Sequence, residues 1–351
     1  MKENNQMKQM ELLHQIYRIS SPSGRESQMM KFLRRRLNQL GVAHVTDKAG
    51  NIYATKGVTA SYPCIIAHTD EVHSFREKGY DVVQAVSKDK NIIFGFNHLK
   101  RSHCGTGADD KNGLWICLKC LEEFDAIKCV FFVGEEIGCH GSSRADMKFF
   151  DDCRFVVQCD RKGNSDMVTF YSGSVLCSDD FLLDTAPDKF GYKQSEGLIT
   201  DVITLKHKGL KISGINLSCG YYLPHSPHEF TCVEDLMNCY RFVQHIIRNC
   251  KKTYHHQFVD KYTDRYYSYD PLPYWDDHSR YRFMDNNDHN QNTRTQTDEP
   301  LPTTLIFGKG NSASDCPARS RPSGFKKNLR TSLCSGSIFS KNLAEQDTEL
   351  S

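Results

Sequence analysis

No run of about 18 apolar residues, the length that crosses a bilayer as a helix, occurs in the 351-residue chain. The first residues also lack the apolar core of a secretory signal peptide. The 45 basic and 43 acidic residues leave a formal net charge of only +2, which gives no electrostatic basis for binding nucleic acid or an anionic membrane. We therefore expect a cytoplasmic protein with neither of these partners.

Cysteine is abundant, with 15 residues, but no feature of the sequence indicates an oxidising compartment. We expect reduced thiols that behave as small apolar core residues. Cys117 and Cys120 form a CxxC pair, yet they fall in an apolar helical stretch without a second pair at zinc-site spacing. Packing is therefore favoured over a structural zinc site for this pair.

The character of the chain changes near residue 258. Before it, segments with helical apolar spacing alternate with short apolar runs that read as buried strands. After it, Tyr, Asp, Arg, Asn and His crowd together, and prolines interrupt any periodicity. We predict a packed domain over residues 1–258 and a polar tail over 259–351 that is disordered or loosely docked. For the tyrosine-rich part, residues 262–274, disorder is favoured over docking as a lid.

Strands that alternate with helices predict an α/β three-layer sandwich with a mostly parallel central sheet. Buried strands and a hairpin are expected over residues 63–67, 129–133, 155–159, 215–217 and 81–96. Helices are expected over residues 7–19, 26–40, 109–124 and 231–249. At the last helix, Thr231 and Glu234 have the spacing of a capping box.

Polar residues that follow the predicted strands carry the functional signal. They are His68 and Asp70 after the first buried strand, Glu135 and Glu136 after the second, Asp160 after the third, and His225 beyond the fourth. Asp109 follows a glycine-containing loop and opens a helix. Because ligands of open α/β sheets bind beyond the carboxyl ends of the strands, these side chains are expected to converge.

Each of these residues alone has an ordinary structural explanation, such as helix capping for Asp109 and Asp110. Their combination is informative, because so many carboxylates on one rim would repel each other unless cations neutralised them. Imidazole and carboxylate ligands suit zinc, with manganese or cobalt as alternatives.

In combination and in order, the motifs resemble the co-catalytic di-zinc exopeptidases of clan MH, the peptidase T, glutamyl aminopeptidase and carboxypeptidase G group. The resemblance covers about residues 10–250. Its motifs are A-H-T-D at 67–70, G-A-D-D-K-N-G at 107–113, G-E-E-I-G at 134–138, C-D at 159–160 and H-S-P-H-E at 225–229. It implies a phosphorylase/hydrolase-like fold for a zinc exopeptidase core.

The resemblance also implies five metal ligands for two Zn²⁺ ions. His68 and Asp160 would hold one zinc, Glu136 and His225 would hold the other, and Asp109 would bridge both. Asp109 is preferred over its neighbour Asp110 because the family's bridging Asp stands two residues before the Lys. His225 is preferred over His228 because the family pattern is His, three residues, Glu.

Two catalytic roles follow from the same resemblance. Glu135 would be the general base that takes a proton from the attacking water and returns it to the departing amine. Asp70 would accept the other ring N–H of His68 and orient the imidazole. Asp201 is a candidate supporting residue, whereas Tyr221 and Tyr222 are expected to pack rather than to line a pocket.

The chain departs from this family in one respect. Relatives carry an inserted domain either between the last Asp and His ligands or between the first His and the bridging Asp. The intervals from Asp160 to His225 and from His68 to Asp109 are short here. The oligomerisation domain of the relatives is therefore expected to be absent.

The function predicted from the sequence is a di-zinc metallopeptidase, favoured as an aminopeptidase that acts on short peptides. The alternative within the hydrolases is a deacylase or amidohydrolase that acts on N-acyl amino acids. An alternative from another class is a non-catalytic metal-binding module, which Glu135 disfavours because it has no role as a ligand. A two-metal phosphoesterase is disfavoured because no phosphate-cradling glycine loop or Arg cluster is found.

Overall fold

The structure, a computed structural model, describes residues 2–88 and 90–261, with side chains from residue 10 onward. Its α-helices are α1 (Lys2–Arg18), α2 (Ser27–Gln39), α3 (Ala108–Glu123), α4 (Asp179–Thr185), α5 (Asp201–His207) and α6 (Val233–Asn249). Its strands are β1 (Ala43–Thr46), β2 (Ile52–Lys56), β3 (Tyr62–His68), β4 (Tyr80–Val86), β5 (Asn91–Asn97), β6 (Ser102–Cys104), β7 (Ile127–Phe132), β8 (Cys153–Arg161), β9 (Asp166–Tyr171), β10 (Ser174–Val175), β11 (Lys193–Glu196), β12 (Gly214–Ser218), β13 (Tyr221–Tyr222) and β14 (Phe230–Cys232). The predicted tail, including its tyrosine-rich part, lies outside the described residues except for 259–261.

The larger sheet has nine strands in the order β1-β2-β7-β3-β8-β12-β9-β10, with β11 paired to β9. Its four middle strands, β7, β3, β8 and β12, run parallel to one another. Antiparallel strands flank them on both sides, β2 next to β7 and β9 next to β12. The α/β fold predicted from the sequence is confirmed, and the parallel strands direct their carboxyl ends to one edge of the sheet.

Helices cover both faces of this sheet. In β3, Ile65 and Ala67 pack into the core that contains the apolar sides of α1, α2, α3 and α6. The alternate residues, Cys64 and Ile66, pack into a second core with α5. Successive side chains of a strand point to opposite faces, so a strand that is apolar throughout must be covered on both sides. The three-layer arrangement follows from this pattern.

A smaller sheet has five strands in the order β13-β14-β5-β4, with β6 also paired to β5. Strands β4 and β5 form the predicted hairpin. On the other edge of β5, Phe230 of β14 pairs with Phe94, and Cys104 of β6 pairs with the next residue, Gly95. This register brings the loop that leads to Asp109 beside the segment that contains His225, although the two are far apart in sequence.

Helix α6 begins without the predicted capping box. Thr231 lies in β14, and its hydroxyl is 2.6 Å from the Tyr17 hydroxyl. The residue before the helix is Cys232, whose side chain makes no capping hydrogen bond. The helix was predicted correctly but the cap was wrong, because Thr231 is drawn into a buried polar cluster with Tyr17 and Asn112, which local spacing does not reveal.

All 13 cysteines among the described residues have free thiols, and 12 of them are buried. Cys117 and Cys120 lie fully buried in α3, where they pack in the apolar core. This agrees with their predicted role as small core residues. Among the described residues, no helix has the length and apolar character needed to span a membrane.

Candidate metal centre

The five residues predicted as metal ligands meet at the carboxyl edge of the parallel strands. They form two groups, one of His68, Asp109 and Asp160 and one of Asp109, Glu136 and His225. Within each group the candidate ligand atoms all lie within 4.8 Å of one another. Asp109 belongs to both groups, so the side chains are placed as two adjacent sites with one shared carboxylate.

The first group is deeply buried. His68 Nε2 is 3.3 Å from Asp109 Oδ1 and 3.6 Å from Asp160 Oδ1. His68 ends β3 and Asp160 lies near the end of β8, a parallel neighbour of β3. The pairing of these strands therefore places an imidazole and a carboxylate side by side.

The second group opens to solvent. His225 Nε2 is 3.1 Å from Glu136 Oε1 and 3.4 Å from Asp109 Oδ2. The His225 side chain is 51% exposed, whereas that of Glu136 is 8% exposed. Asp109 thus directs Oδ1 to the first group and Oδ2 to the second, and the approach from solvent is on the His225 side.

Asp70 holds several parts of the site together. Its carboxylate lies 3.4 Å from His68 Nδ1, and its backbone carbonyl oxygen lies 3.1 Å from the same nitrogen. The carboxylate also accepts hydrogen bonds from the backbone N–H groups of Glu135, at 2.9 Å, and Glu136, at 3.2 Å. A further hydrogen bond comes from the Ser23 hydroxyl at 2.7 Å. Asp70 therefore positions both the imidazole and the glutamate loop.

Glu135 stands beside the metal-ligand groups without belonging to either. Its Oε2 is 3.9 Å from His68 Nε2, and its side chain is 12% exposed. Burial raises the pKa of Glu135 to about 8, with Asp201 and Glu136 adding to the rise and His68 opposing it. A buried carboxyl group at the mouth of a polar site, close to but not within the ligand sets, is placed to exchange protons with a bound molecule.

Asp160 is fixed by residues that the sequence analysis missed. Gln158 donates to its Oδ2 at 3.0 Å, and the Tyr221 hydroxyl lies 3.4 Å from its Oδ1. The side-chain oxygen of Asn216 accepts a hydrogen bond from the backbone N–H of Asp160, and its NH2 group donates one to the backbone carbonyl of Asp160, each at 2.8 Å. Polar residues inside the buried strands were the available signal, because a buried amide requires partners. Tyr221 was expected only to pack, yet its hydroxyl faces the site.

Glu229 organises the loop before Asp109 and was also missed as a supporting residue. It is buried and accepts hydrogen bonds from the backbone N–H groups of Thr106, Gly107 and Asp109 at 2.9, 2.6 and 3.3 Å. His73 Nε2 lies 3.1 Å from the same carboxylate. The last residue of the H-S-P-H-E motif thus holds the shared aspartate in place across the small sheet.

Replacing Glu229 with Ala is expected to lower the free energy of unfolding by at least about 3 kcal/mol, because several buried donors lose their acceptor at once. Metal affinity should fall as well, since the Asp109 loop is no longer held. Urea denaturation and metal titration would measure the two effects. The matched control is Glu77→Ala, which removes an exposed pair with Lys100 and should cost no more than about 1 kcal/mol. Equal losses in the two variants would contradict this role for Glu229.

A buried ionic cluster lies behind the same loop. Glu71 accepts hydrogen bonds from Lys111 Nζ at 2.9 Å and from the Arg76 guanidinium at 2.6 Å. Burial, together with Arg76, lowers the pKa of Lys111 to about 7, although Glu71 opposes the shift. Gly107 has φ +66°, and a Cβ at that position would overlap Glu71 Oε2. Lys111 and Gly107 of the G-A-D-D-K-N-G motif therefore have structural roles beside the site.

The motifs left two choices of ligand, Asp109 or Asp110 and His225 or His228, and the two members of each pair have different surroundings. Asp110 Oδ2 accepts from the backbone N–H of His68 at 3.1 Å and its Oδ1 accepts from Gly113 at 3.0 Å, so this carboxyl group is occupied by backbone. His228 packs against the His103 ring with centroids 5.3 Å apart. Neither Asp110 nor His228 joins a candidate ligand group among the described residues.

Negative charge is concentrated at the site. Burial, reinforced by Asp109, raises the pKa of Glu136 to about 7 and also raises the pKa of Asp160. Burial would raise the pKa of Asp109 too, but hydrogen bonds to His225 and His68 outweigh it and hold that pKa well below its usual range. The hydrogen bond to Asp109 raises the pKa of His225 to about 9. The neighbouring imidazoles balance only part of the negative charge of these carboxylates. Divalent cations stabilise a set of carboxylate donors of this kind.

The fold and this cluster together define an α/β sandwich with a shared-aspartate site at the carboxyl edge of its parallel strands. The chain matches no protein-family model, and no curated protein sequence matches it. Similar solved structures do exist. The fold is similar to that of aminopeptidase PepT from Bacillus cereus, with a TM-score of 0.57 and 15% identity over 70% of this chain and 98% of that one.

Two further structures share the fold. One is a tripeptidase from Staphylococcus aureus, with a TM-score of 0.55 and 15% identity over 70% of this chain and 98% of that chain. The other is an aminopeptidase from the archaeon Desulfurococcus kamchatkensis, with a TM-score of 0.52 and 16% identity over 71% of this chain and 96% of that chain. The resemblance stated from the motifs is thus confirmed at the level of the fold.

Proposed function

We propose that this protein is a two-metal peptidase that removes N-terminal residues from short peptides. The observation that carries the proposal is the meeting of His68, Asp109, Glu136, Asp160 and His225 in two groups that share Asp109. Similarity in fold to solved aminopeptidases and a tripeptidase supports the same reaction class.

The residues fit two divalent cations. Each group offers one imidazole nitrogen and carboxylate oxygens, a donor set that suits zinc and also accommodates manganese or cobalt. We assign His68 and Asp160 to one cation, Glu136 and His225 to the other, and Asp109 to both. When bound, two such cations would lower the pKa of a shared water and polarise the scissile carbonyl.

The protein's own groups then account for proton transfer and positioning. Glu135 would accept a proton from the attacking water and deliver it to the departing amine. Asp70 would keep the His68 ring oriented and hold the backbone of the glutamate loop in place. The half-exposed His225 marks the side from which a peptide enters.

Substrate assays distinguish this activity from its nearest alternative. We expect turnover of aminoacyl-anilides and of tripeptides with a free N-terminus, and loss of that turnover after treatment with a chelator and its return on adding zinc, manganese or cobalt. Turnover confined to N-acyl amino acids would instead identify a deacylase. Metal binding without turnover of either class would identify a non-catalytic metal-binding module.

Metal addition is expected to stabilise the protein more at pH 8 than at pH 6. In the metal-free folded state the pKa of Glu136 is about 7, against about 4.3 for an unfolded glutamate. Between these values the folded state holds more protons, so metal-free stability falls as the pH rises through this window. Bound cations require ionised carboxylates and neutral imidazoles. The stabilisation that metal binding provides therefore increases as the pH rises through the same window.

Thermal or urea unfolding at both pH values, with and without zinc, measures this difference. A cation present at about 100 times its dissociation constant adds about 2.7 kcal/mol per site. The matched control is Asp109→Ala, in which the stabilisation by metal should largely disappear. A metal effect that is independent of pH would contradict the assignment of these carboxylates as ligands.

A further inference from the structure

Gln158 is a fully buried polar residue on β8, two positions before the candidate ligand Asp160. Side chains two residues apart on a strand point to the same face of the sheet, so these two lie side by side. Gln158 Nε2 donates a hydrogen bond to Asp160 Oδ2 at 3.0 Å. A buried amide requires hydrogen-bond partners, and a candidate metal ligand is the partner of this NH2 group.

A backbone group fixes the other end of the Gln158 amide. Its Oε1 accepts a hydrogen bond from the backbone N–H of Val202 at 2.9 Å. An N–H group can only donate, so the amide oxygen must face Val202 and the NH2 group must face Asp160. Val202 belongs to α5, and its side chain is fully buried in the second core. A helix anchored in that core therefore holds the amide in one orientation.

The two oxygens of the Asp160 carboxylate have different surroundings as a result. Oδ2 is engaged by the Gln158 amide. Oδ1 lies 3.6 Å from His68 Nε2 and 3.4 Å from the Tyr221 hydroxyl, and both distances are longer than an ordinary hydrogen bond. Of the two oxygens, Oδ1 is therefore the one left for a cation in the buried ligand group.

The buried group then offers a cation three protein atoms. They are His68 Nε2, Asp109 Oδ1 and Asp160 Oδ1. Three protein ligands and one open position are the pattern of catalytic zinc sites, in which zinc is four-coordinate. Manganese favours six ligands, mostly oxygen atoms, and a carboxylate that binds through both oxygens helps to supply them.

Building on the proposed two-metal site, we propose that Gln158 is a positioning residue that restricts Asp160 to one ligand oxygen and thereby makes the buried position selective for zinc over manganese. The amide takes up Oδ2 and leaves Oδ1 for the cation. Without the amide, both carboxylate oxygens become available, and the coordination number of the buried position rises. The ligand types alone leave the choice of metal open, and Gln158 decides it without being a ligand.

The test measures zinc and manganese binding to the full chain by isothermal titration calorimetry. His225→Ala is included in every protein, because the loss of that imidazole leaves the buried group as the complete one. We expect Gln158→Met to weaken zinc binding about 10- to 100-fold, the usual cost of losing a group that orients a metal ligand. Manganese affinity should stay the same or rise, so the ratio of zinc to manganese affinity should fall at least about ten-fold.

Gln84→Met is the matched control for this substitution. Gln84 Nε2 donates a hydrogen bond to Asn91 Oδ1 at 2.9 Å within the β4–β5 hairpin, and neither residue belongs to a ligand group. The ratio of zinc to manganese affinity should be unchanged in this variant. If His225→Ala binds no cation, the same ratios are measured with His225 intact.

The visible spectrum of Co²⁺ bound to His225→Ala gives a second readout, which does not require the Gln158 variant to fold. Four-coordinate Co²⁺ absorbs strongly and six-coordinate Co²⁺ weakly, so we expect strong bands that weaken in Gln158→Met. Weak bands with Gln158 intact, or an equal loss of zinc and manganese affinity in Gln158→Met, overturn the role of Gln158 and leave the peptidase proposal intact. If the wild type binds no divalent cation, the proposed function fails and the role of Gln158 fails with it.

Discussion

Replacing Glu135 with Gln is expected to lower kcat by about 10²- to 10⁴-fold, the usual contribution of a positioned general acid and base. The amide retains the size of the side chain but cannot accept the proton of the attacking water. Glu135 belongs to neither ligand group, so the bound metal content should be unchanged. Steady-state kinetics together with elemental analysis of the purified variant would measure both properties.

The neighbouring Glu136→Gln provides the matched comparison. Glu136 Oε1 lies 3.1 Å from His225 Nε2 within the second ligand group, so its replacement should reduce metal content as well as activity. Two adjacent glutamates with the same substitution would thus lose activity for different reasons. If Glu135→Gln also lost metal, or retained full turnover, Glu135 would not be the proton-transfer residue.

Replacing Asp109 with Ala is expected to have the largest effect on metal content. Its two carboxylate oxygens face different groups, Oδ1 toward His68 and Oδ2 toward His225, so one substitution removes a ligand from both sites. Metal content should fall below one ion per chain under conditions that give two in the wild type. Activity should fall by at least about 10³-fold, because charge stabilisation by such cations contributes several kcal/mol to the barrier.

Asp110→Asn is the control for this experiment. Asp110 is buried next to Asp109, and its carboxyl oxygens accept hydrogen bonds from the backbone N–H groups of His68 and Gly113. Asn keeps one oxygen for these two N–H groups, so the variant should lose one backbone hydrogen bond and some stability but no metal ligand. Metal content should stay near that of the wild type. Equal metal loss in both variants would show that Asp109 acts through loop structure rather than as a shared ligand.

Much of the site was predictable because its chemistry is local. His68 and Asp160 directly follow short apolar runs, and Glu136 is the third residue after another. Such runs become buried parallel strands whose ends share one edge. His225 and Asp109 were found through motif order, since neither lies at the end of a strand in the larger sheet. The metal ligation itself remains a prediction that the experiments above test.

The supporting residues were harder to predict. Glu229 acts on a loop more than a hundred residues earlier, and only the pairing of β14 and β6 along the same edge of β5 brings the two together. The capping box at Thr231 failed for a related reason, because a distant tyrosine and asparagine compete for its hydroxyl. Spacing along the chain predicts local hydrogen bonds, but it does not show which residue distant in sequence will form a hydrogen bond in the folded structure.

The amino-acid sequence by itself determined the alternating strands and helices, the chemical types of the candidate ligands and their order along the chain. Those features depend on side-chain periodicity and on residue type, which are read within a few positions of each residue. Tertiary structure alone decided that Asp109 presents one oxygen to each ligand group and that Gln158 and Asn216 brace Asp160. These arrangements join segments far apart in sequence, and their geometry exists only after the sheets have paired and the helices have packed.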